Sequence, residues 1–269
     1  MSFKNFVVFI FLCSGLSDAK SQGMLVDLSG QKIFALPDSL FRNPHQILEL
    51  NLGSSGDLFV AIYPEVRPLT FGTGVTNEFK VLNPEIGLFR NLKVIDLSFN
   101  KLTTLPSEFY FLPIEELNLN FNYNFNLYSE SSKISQLKKL KKLFLIGVRF
   151  DSFPEDILKL SIEELAIGNF DLTIDEAFIE KISELPNLKV LYLSDVNMKE
   201  LPSNLDQLRS LEKLDIRYSP TIQIKNAVDG LKKLRNLKTI NLYSLPLTLE
   251  EVSFLTDSLP RVQVDFLSN

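Results

Sequence analysis

The residues able to do chemistry are few in this chain of 269. One histidine, His45, and one cysteine, Cys13, leave no material for Ser–His–Asp or Cys–His catalysis or for a histidine-based zinc site. Neither G-x-x-x-x-G-K-S/T nor G-x-G-x-x-G occurs, and Gly72-Thr-Gly74 is too isolated to cradle a phosphate. The acids come in pairs: Glu115–Glu116, Glu163–Glu164 and Glu250–Glu251. Two carboxylates about 5–9.5 Å apart across a cleft would serve a glycosidase. Glu116 and Glu164 are the best such pair, but their sequence spacing implies a separation of about 10 Å. A solvated edge is the simpler account, as it is for the basic run KKLKK at 138–142. No alternating Asp loop for calcium is present, so the expectation is no catalytic residue, no metal and no cofactor.

What positions these residues is a repeat. The stretch LKVIDLSFN (92–100) has apolar residues at relative positions 1, 4 and 6, which fits neither a helix nor a simple strand. The same spacing recurs in IEELNLNFN (114–122), LKKLFLIGV (140–148), IEELAIGNF (162–170), LKVLYLSDV (188–196), LEKLDIRYS (211–219) and LKTINLYSL (237–245). Toward the N-terminus, ILELNLGSS (47–55) fits well. GMLVDLSGQ (23–31) reads as a first copy, and LTFGTGVTN (69–77) fits with glycines in two apolar slots. LPRVQVDF (259–266) reads as a truncated last copy, for about eleven in all.

This L-x-x-L-x-L-x-x-N-x-L pattern, often followed by x-x-L-P, resembles the leucine-rich repeat family. The resemblance implies an α/β solenoid: a curved right-handed superhelix with a parallel concave β-sheet and a convex side of extended segments and short helices. Positions 3–5 of each copy make a strand whose residues 4 and 6 point inward. One coil cannot bury its apolar side alone, so stacked coils share a core and residues 22–269 form a single domain without a linker. Asn77, Asn100 and Asn122 at position 9 match the family's asparagine ladder. Val148, Phe170, Val196, Ser219 and Leu245 replace it later. An apolar residue cannot make those hydrogen bonds, so the turn there must pair its own backbone or admit water.

From 92 onward the copies alternate between 22–23 and 26 residues, which suggests duplication of a two-repeat unit. Short copies carry a proline after the last apolar residue, favouring extended or single-turn segments. Helical patterns occur at 132–140, at 174–185 with Asp175 as a start signal, at 223–234 and at 248–259.

The outward positions 3, 5, 7 and 8 define the expected ligand-binding face. It comprises Asp96, Phe99, Glu116, Phe121, Lys142, Phe144, Ile146, Glu164, Tyr192, Asp195, Lys213, Asp215, Arg217, Tyr218 and Tyr243. Exposed rings on such a face mark an interaction site, and the family's habit of binding ligands there implies a protein partner. A glycan stacked on the same rings is the alternative, and rings that merely pack on each other are another. The net charge of −5 argues against nucleic acid. At the N-terminus, Lys4, the apolar stretch Phe6–Leu12 and the small residues Ala19 and Ser21 give the layout of a signal peptide over 1–21. That predicts an exported protein of bacterial type, free of disulfides once Cys13 is removed and not inserted in a membrane. Leu12 before Cys13 disfavours lipoprotein anchoring.

Overall fold

In a computed structural model, the described residues are 9–12, 23–54, 75–169, 171–196, 198–219, 222–223, 228–243, 245 and 247–266. The chain forms two compact units, Met1–Leu140 and Lys141–Asn269. The division falls between positions 1 and 2 of one copy, so each unit is built from the same repeat.

In the first unit, β1 (Phe9–Leu12) pairs antiparallel with β2 (Met24–Asp27). Parallel pairing then runs through β3 (Ile47–Asn51), β4 (Val94–Asp96) and β5 (Glu116–Asn118). The register sets like on like: Val26, Leu50, Ile95 and Leu117 occupy one row, all buried. Leu28, Leu52, Leu97 and Leu119 fill the next inward position. Behind the strands come 3-10 turns at Pro84–Leu88 and Ser107–Phe111, then α1 (Leu127–Ile134). The α1 start is fixed by Asn126, whose side chain accepts from the Ser129 amide, so this helix lies N-terminal to the 132–140 expected from the pattern.

Two expected copies need correction. Strand β3 pairs directly with β4, so no strand of a 69–77 copy lies between them. Instead Asn77 completes the copy that begins at Ile47. Its amide donates to Leu52 O and Leu28 O, and its carbonyl accepts from Ile33 N, as a position-9 residue of that copy must. Residues 55–76 are therefore an insertion between positions 8 and 9. Gly72 and Gly74 lie outside the described residues.

The second unit stacks β6 (Lys142–Ile146), β7 (Glu164–Gly168), β8 (Val190–Ser194), β9 (Lys213–Arg217), β10 (Thr239–Asn241) and β11 (Gln263–Asp265) in parallel. Here Val264 pairs with Ile240, which moves the last copy two residues later than expected. Leu143, Leu165, Leu191, Leu214 and Ile240 form its fully buried row. At the back stand α2 (Glu155–Leu158) after Pro154, α3 (Glu176–Ile182), a 3-10 turn at Leu205–Gln207, α4 (Val228–Lys233) and α5 (Leu249–Ser258). Asp175 caps α3 by accepting from Phe178 N at 2.9 Å, and Thr248 with Glu251 forms a capping box on α5. Longer spacers thus hold helices of six to eight residues at α1, α3 and α4, and most shorter ones hold single turns.

Candidate binding face

The end of each strand sets where side chains stand. Position 8 adopts positive φ at Gly30, Phe99, Phe121, Gly147, Asp195 and Tyr218. For a bulky residue this conformation costs about 1–2 kcal/mol. The turn therefore imposes a conformation that glycine suits, and Phe99, Phe121 and Tyr218 accept strain to put a ring there. Just before it, position 5 folds an oxygen back on the turn. Asp27, Asn51, Asp96 and Asn118 each accept from the amide two residues on, at 2.8–3.0 Å.

In the first unit, Asn118 also donates to Asp96 Oδ2 at 3.0 Å. Burial raises the Asp96 carboxyl above its ordinary range, against hydrogen bonds from Ser98 and Asn118 that lower it. Phe99, half-buried, stacks on buried Phe121 with centroids 4.3 Å apart, and exposed Tyr123 tilts against Phe121 at 6.2 Å. Glu116 is half-buried at the start of β5.

In the second unit, Phe144 and Tyr192 meet edge to face at 6.5 Å, with Ala166 in the register position between them. The small residue lets two rings reach across a strand. Lys213 Nζ lies 5.7 Å from the Tyr192 ring. Arg217 grips Asp215 with Nε at 2.7 Å and with Nη2, and the Tyr243 ring covers the guanidinium at 5.8 Å. Burial pushes the Asp215 carboxyl up, while Arg217, Lys213 and Asn241 pull it down.

These contacts correct the picture of free outward rings. Phe144 is 1% exposed, Tyr192 4%, Asp215 0% and Arg217 1%, and Ile146 and Phe121 are buried too. A broad side chain at every second residue of closely spaced strands finds its neighbours before it finds solvent. The accessible members are Asp195, exposed, with Asp96, Phe99, Glu116, Lys142, Glu164, Lys213, Tyr218 and Tyr243 half-buried.

The acids of the 163–164 pair prove to be ion-pair partners, and Glu251 belongs to the capping box of α5. Glu163 binds Lys189 at 2.9 Å and Lys141 at 3.7 Å, and Glu164 binds Lys142 at 3.1 Å. The Lys189 hydrogen bond holds Glu163 below the usual carboxylate range, unsuited to donating a proton. His45 is exposed, its carbonyl accepting from Asn91. Among the described residues no His, Cys, Asp and Glu side chains gather into a metal-binding group. Sequence reasoning missed buried Glu130, which takes hydrogen bonds from Tyr110, Lys133 Nζ at 2.9 Å and the Leu105 amide. Its only signal was an acid at a core position of α1.

In each unit the strands, β1 aside, stack in parallel and are backed by single turns and short helices, as in a repeat solenoid. The structure of internalin C2 from Listeria monocytogenes shares this fold, with a TM-score of 0.55 and 17% identity over 81% of this chain and 80% of that one. The sequence is 25% identical to an adenylate cyclase of Podospora anserina over 89% of the chain. It is also 25% identical to leucine-rich repeat-containing G-protein coupled receptor 5 of Xenopus tropicalis over 52%. The chain spans 13% and 15% of those two relatives. No family profile matches the sequence. Repeat, register and fold agree, and the chain is a leucine-rich repeat protein.

Proposed function

We propose that this protein is a non-enzymatic interaction module that grips a protein partner on the outward face of its strands. The observation that carries the reading is the locked floor of β6–β9. Phe144, Tyr192, Asp215 and Arg217 are held by one another beneath half-buried Lys142, Glu164, Lys213, Tyr218 and Tyr243. A surface whose rotamers are already fixed loses little entropy on binding, and Tyr and charged groups on such a floor suit a protein partner. The test is capture of a partner from an extract of the source organism by the immobilised chain. Tyr218→Ala should weaken capture by about 1 kcal/mol or more and leave Tm unchanged. Capture that survives both Tyr218→Ala and Lys213→Ala removes the reading, and retention on a glycan array that needs Tyr218 would transfer the face to carbohydrate.

The adenylate cyclase relative does not change this reading, because the chain spans 13% of that protein. Purified chain given ATP should form no cyclic AMP. Residues 1–21 read as a signal for export, and N-terminal sequencing of protein recovered outside the cytoplasm tests it. No helix of the described residues is long and apolar enough to cross a membrane.

A further inference from the structure

Two polar groups on this face have no partner. Arg217 Nη1 and Ser194 Oγ are both buried and neither makes a hydrogen bond. They are register partners on neighbouring strands β8 and β9, about 4.8 Å apart, and occupy the same outward position 7. Orphaned donors are rare in a folded interior, and a charged one is the most costly kind. Here two sit side by side where the repeat faces outward. Asp215 already engages Nε and Nη2, so what the guanidinium lacks is a second acceptor.

We propose that Ser194 Oγ and Arg217 Nη1 form a socket for a carboxylate, filled by an aspartate or glutamate side chain of the bound protein. The proposal rests on the reading of this face as a protein-binding surface and names the chemistry it takes. Both groups can donate to one carboxylate, a serine hydroxyl to one oxygen and a guanidinium N–H to the other. Charge favours the same occupant. Lys213 and Arg217 bring two positive charges to β9 and Asp215 one negative, leaving room for a second anion. Asp195, on the turn after Ser194, is exposed, and its charge is screened by solvent. The Tyr243 ring lies over the guanidinium at 5.8 Å, and the proposal requires it to rotate aside to admit the ligand.

The test is selection from a linear peptide library displayed on phage, against the full chain. Recovered peptides should carry Asp or Glu, and changing that residue to Asn or Gln should weaken binding about tenfold, the 1.4 kcal/mol that separates a charge-assisted bond from a neutral one. Ser194→Ala should erase this preference with little effect on Tm. Arg217→Lys, which keeps the charge and loses the fork, should weaken acidic peptides further. Peptides that need Tyr218 but tolerate the acid-to-amide change overturn the socket and leave the face standing. Peptides indifferent to Tyr218→Ala and Lys213→Ala, or no enriched peptide, overturn both. An ordered water bridging Ser194 and Arg217 in a peptide complex also overturns the socket.

Discussion

Three turns in residues 1–140 are held by side-chain amides, and the matching turns in residues 141–269 by Val148, Val196, Ser219 and Leu245. Asn100 shows what the amide does. It donates to Leu97 O and Ser98 O of its own coil and to Leu52 O of the coil before, and accepts from Phe79 N. Asn122 repeats the set one coil on, with Leu97 O, Leu119 O, Asn120 O and Leu102 N. Where the residue is apolar, the turn keeps the backbone bond that Asn122 N also makes to Leu119 O at 3.3 Å: Val148 N on Leu145 O at 3.1 Å and Leu245 N on Leu242 O at 3.4 Å. Those bonds stay within one coil. The second unit places its inter-coil polar links outside, in Lys141–Glu163–Lys189, Lys142–Glu164 and Lys238–Glu212, and in rings that cross Ala166. The first unit has such surface links too, in Lys93–Glu115, Lys101–Glu78 and Phe99 on Phe121, so what sets it apart is the amide ladder inside. The described turns of the second unit rest on charges and rings outside, and that arrangement builds a face.

The comparison breaks most directly at Asn100. Asn100→Leu strands the Phe79 amide and the Ser98 carbonyl in the core, while Leu52 O keeps the Asn77 amide. Each stranded group costs about 1–3 kcal/mol, so urea unfolding should show a loss of about 2–6 kcal/mol in all. A loss under about 1 kcal/mol would mean the ladder is not what joins these coils. Leu191→Ala removes a fully buried side chain from the second unit and should cost about 2–5 kcal/mol. Hydrogen exchange should place the first loss in residues 75–134 and the second in β7–β9.

The sequence made the inward rows legible because period and spacing encode them without reference to neighbours. Position and residue type mark Asn77 as a ladder residue, but the copy it completes is not legible locally, since an insertion after Ser54 leaves the L-x-x-L-x-L spacing intact while separating it from its asparagine. The outward face was legible as positions but not as burial. Whether Tyr192 stands free depends on Phe144 and Ala166, which lie far off in the chain and come together only through register. Similarly, positive φ at Phe99 and Tyr218 is hidden by side chains that ordinarily avoid it, and only Gly30 and Gly147 carry its usual signature.

Glu130 sharpens the contrast with a smaller effect, because it supports the first unit from behind the strands. Burial alone raises its carboxyl, but hydrogen bonds from Tyr110, Lys133, Thr104 and the Leu105 amide outweigh that and hold it below the ordinary carboxylate range. A carboxyl lowered by folding contributes stability above its unfolded pKa, about 4.3, and loses it as pH falls through the folded value. Glu130→Gln should therefore cost about 1–3 kcal/mol at pH 7, and the difference from wild type should shrink below about pH 4. An unchanged difference at pH 3 would assign the effect to packing. Tyr110, pushed up by burial and by Glu130, adds a decline of stability above about pH 10, where the unfolded phenol ionises.

The smallest effect belongs to the outer ion pairs. Lys189 hydrogen-bonds Glu163 across coils, yet its side chain is about half exposed, so water and salt replace most of what the pair provides. Lys189→Ala should leave Tm in place at moderate salt, and high salt should have no more effect on the wild type than on the variant. A resolvable fall in Tm that salt abolishes would show that the charges, and not only the rings across Ala166, join the coils of the second unit. The face would then owe its rigidity to electrostatics, and partner binding would weaken with salt even where no charge touches the partner.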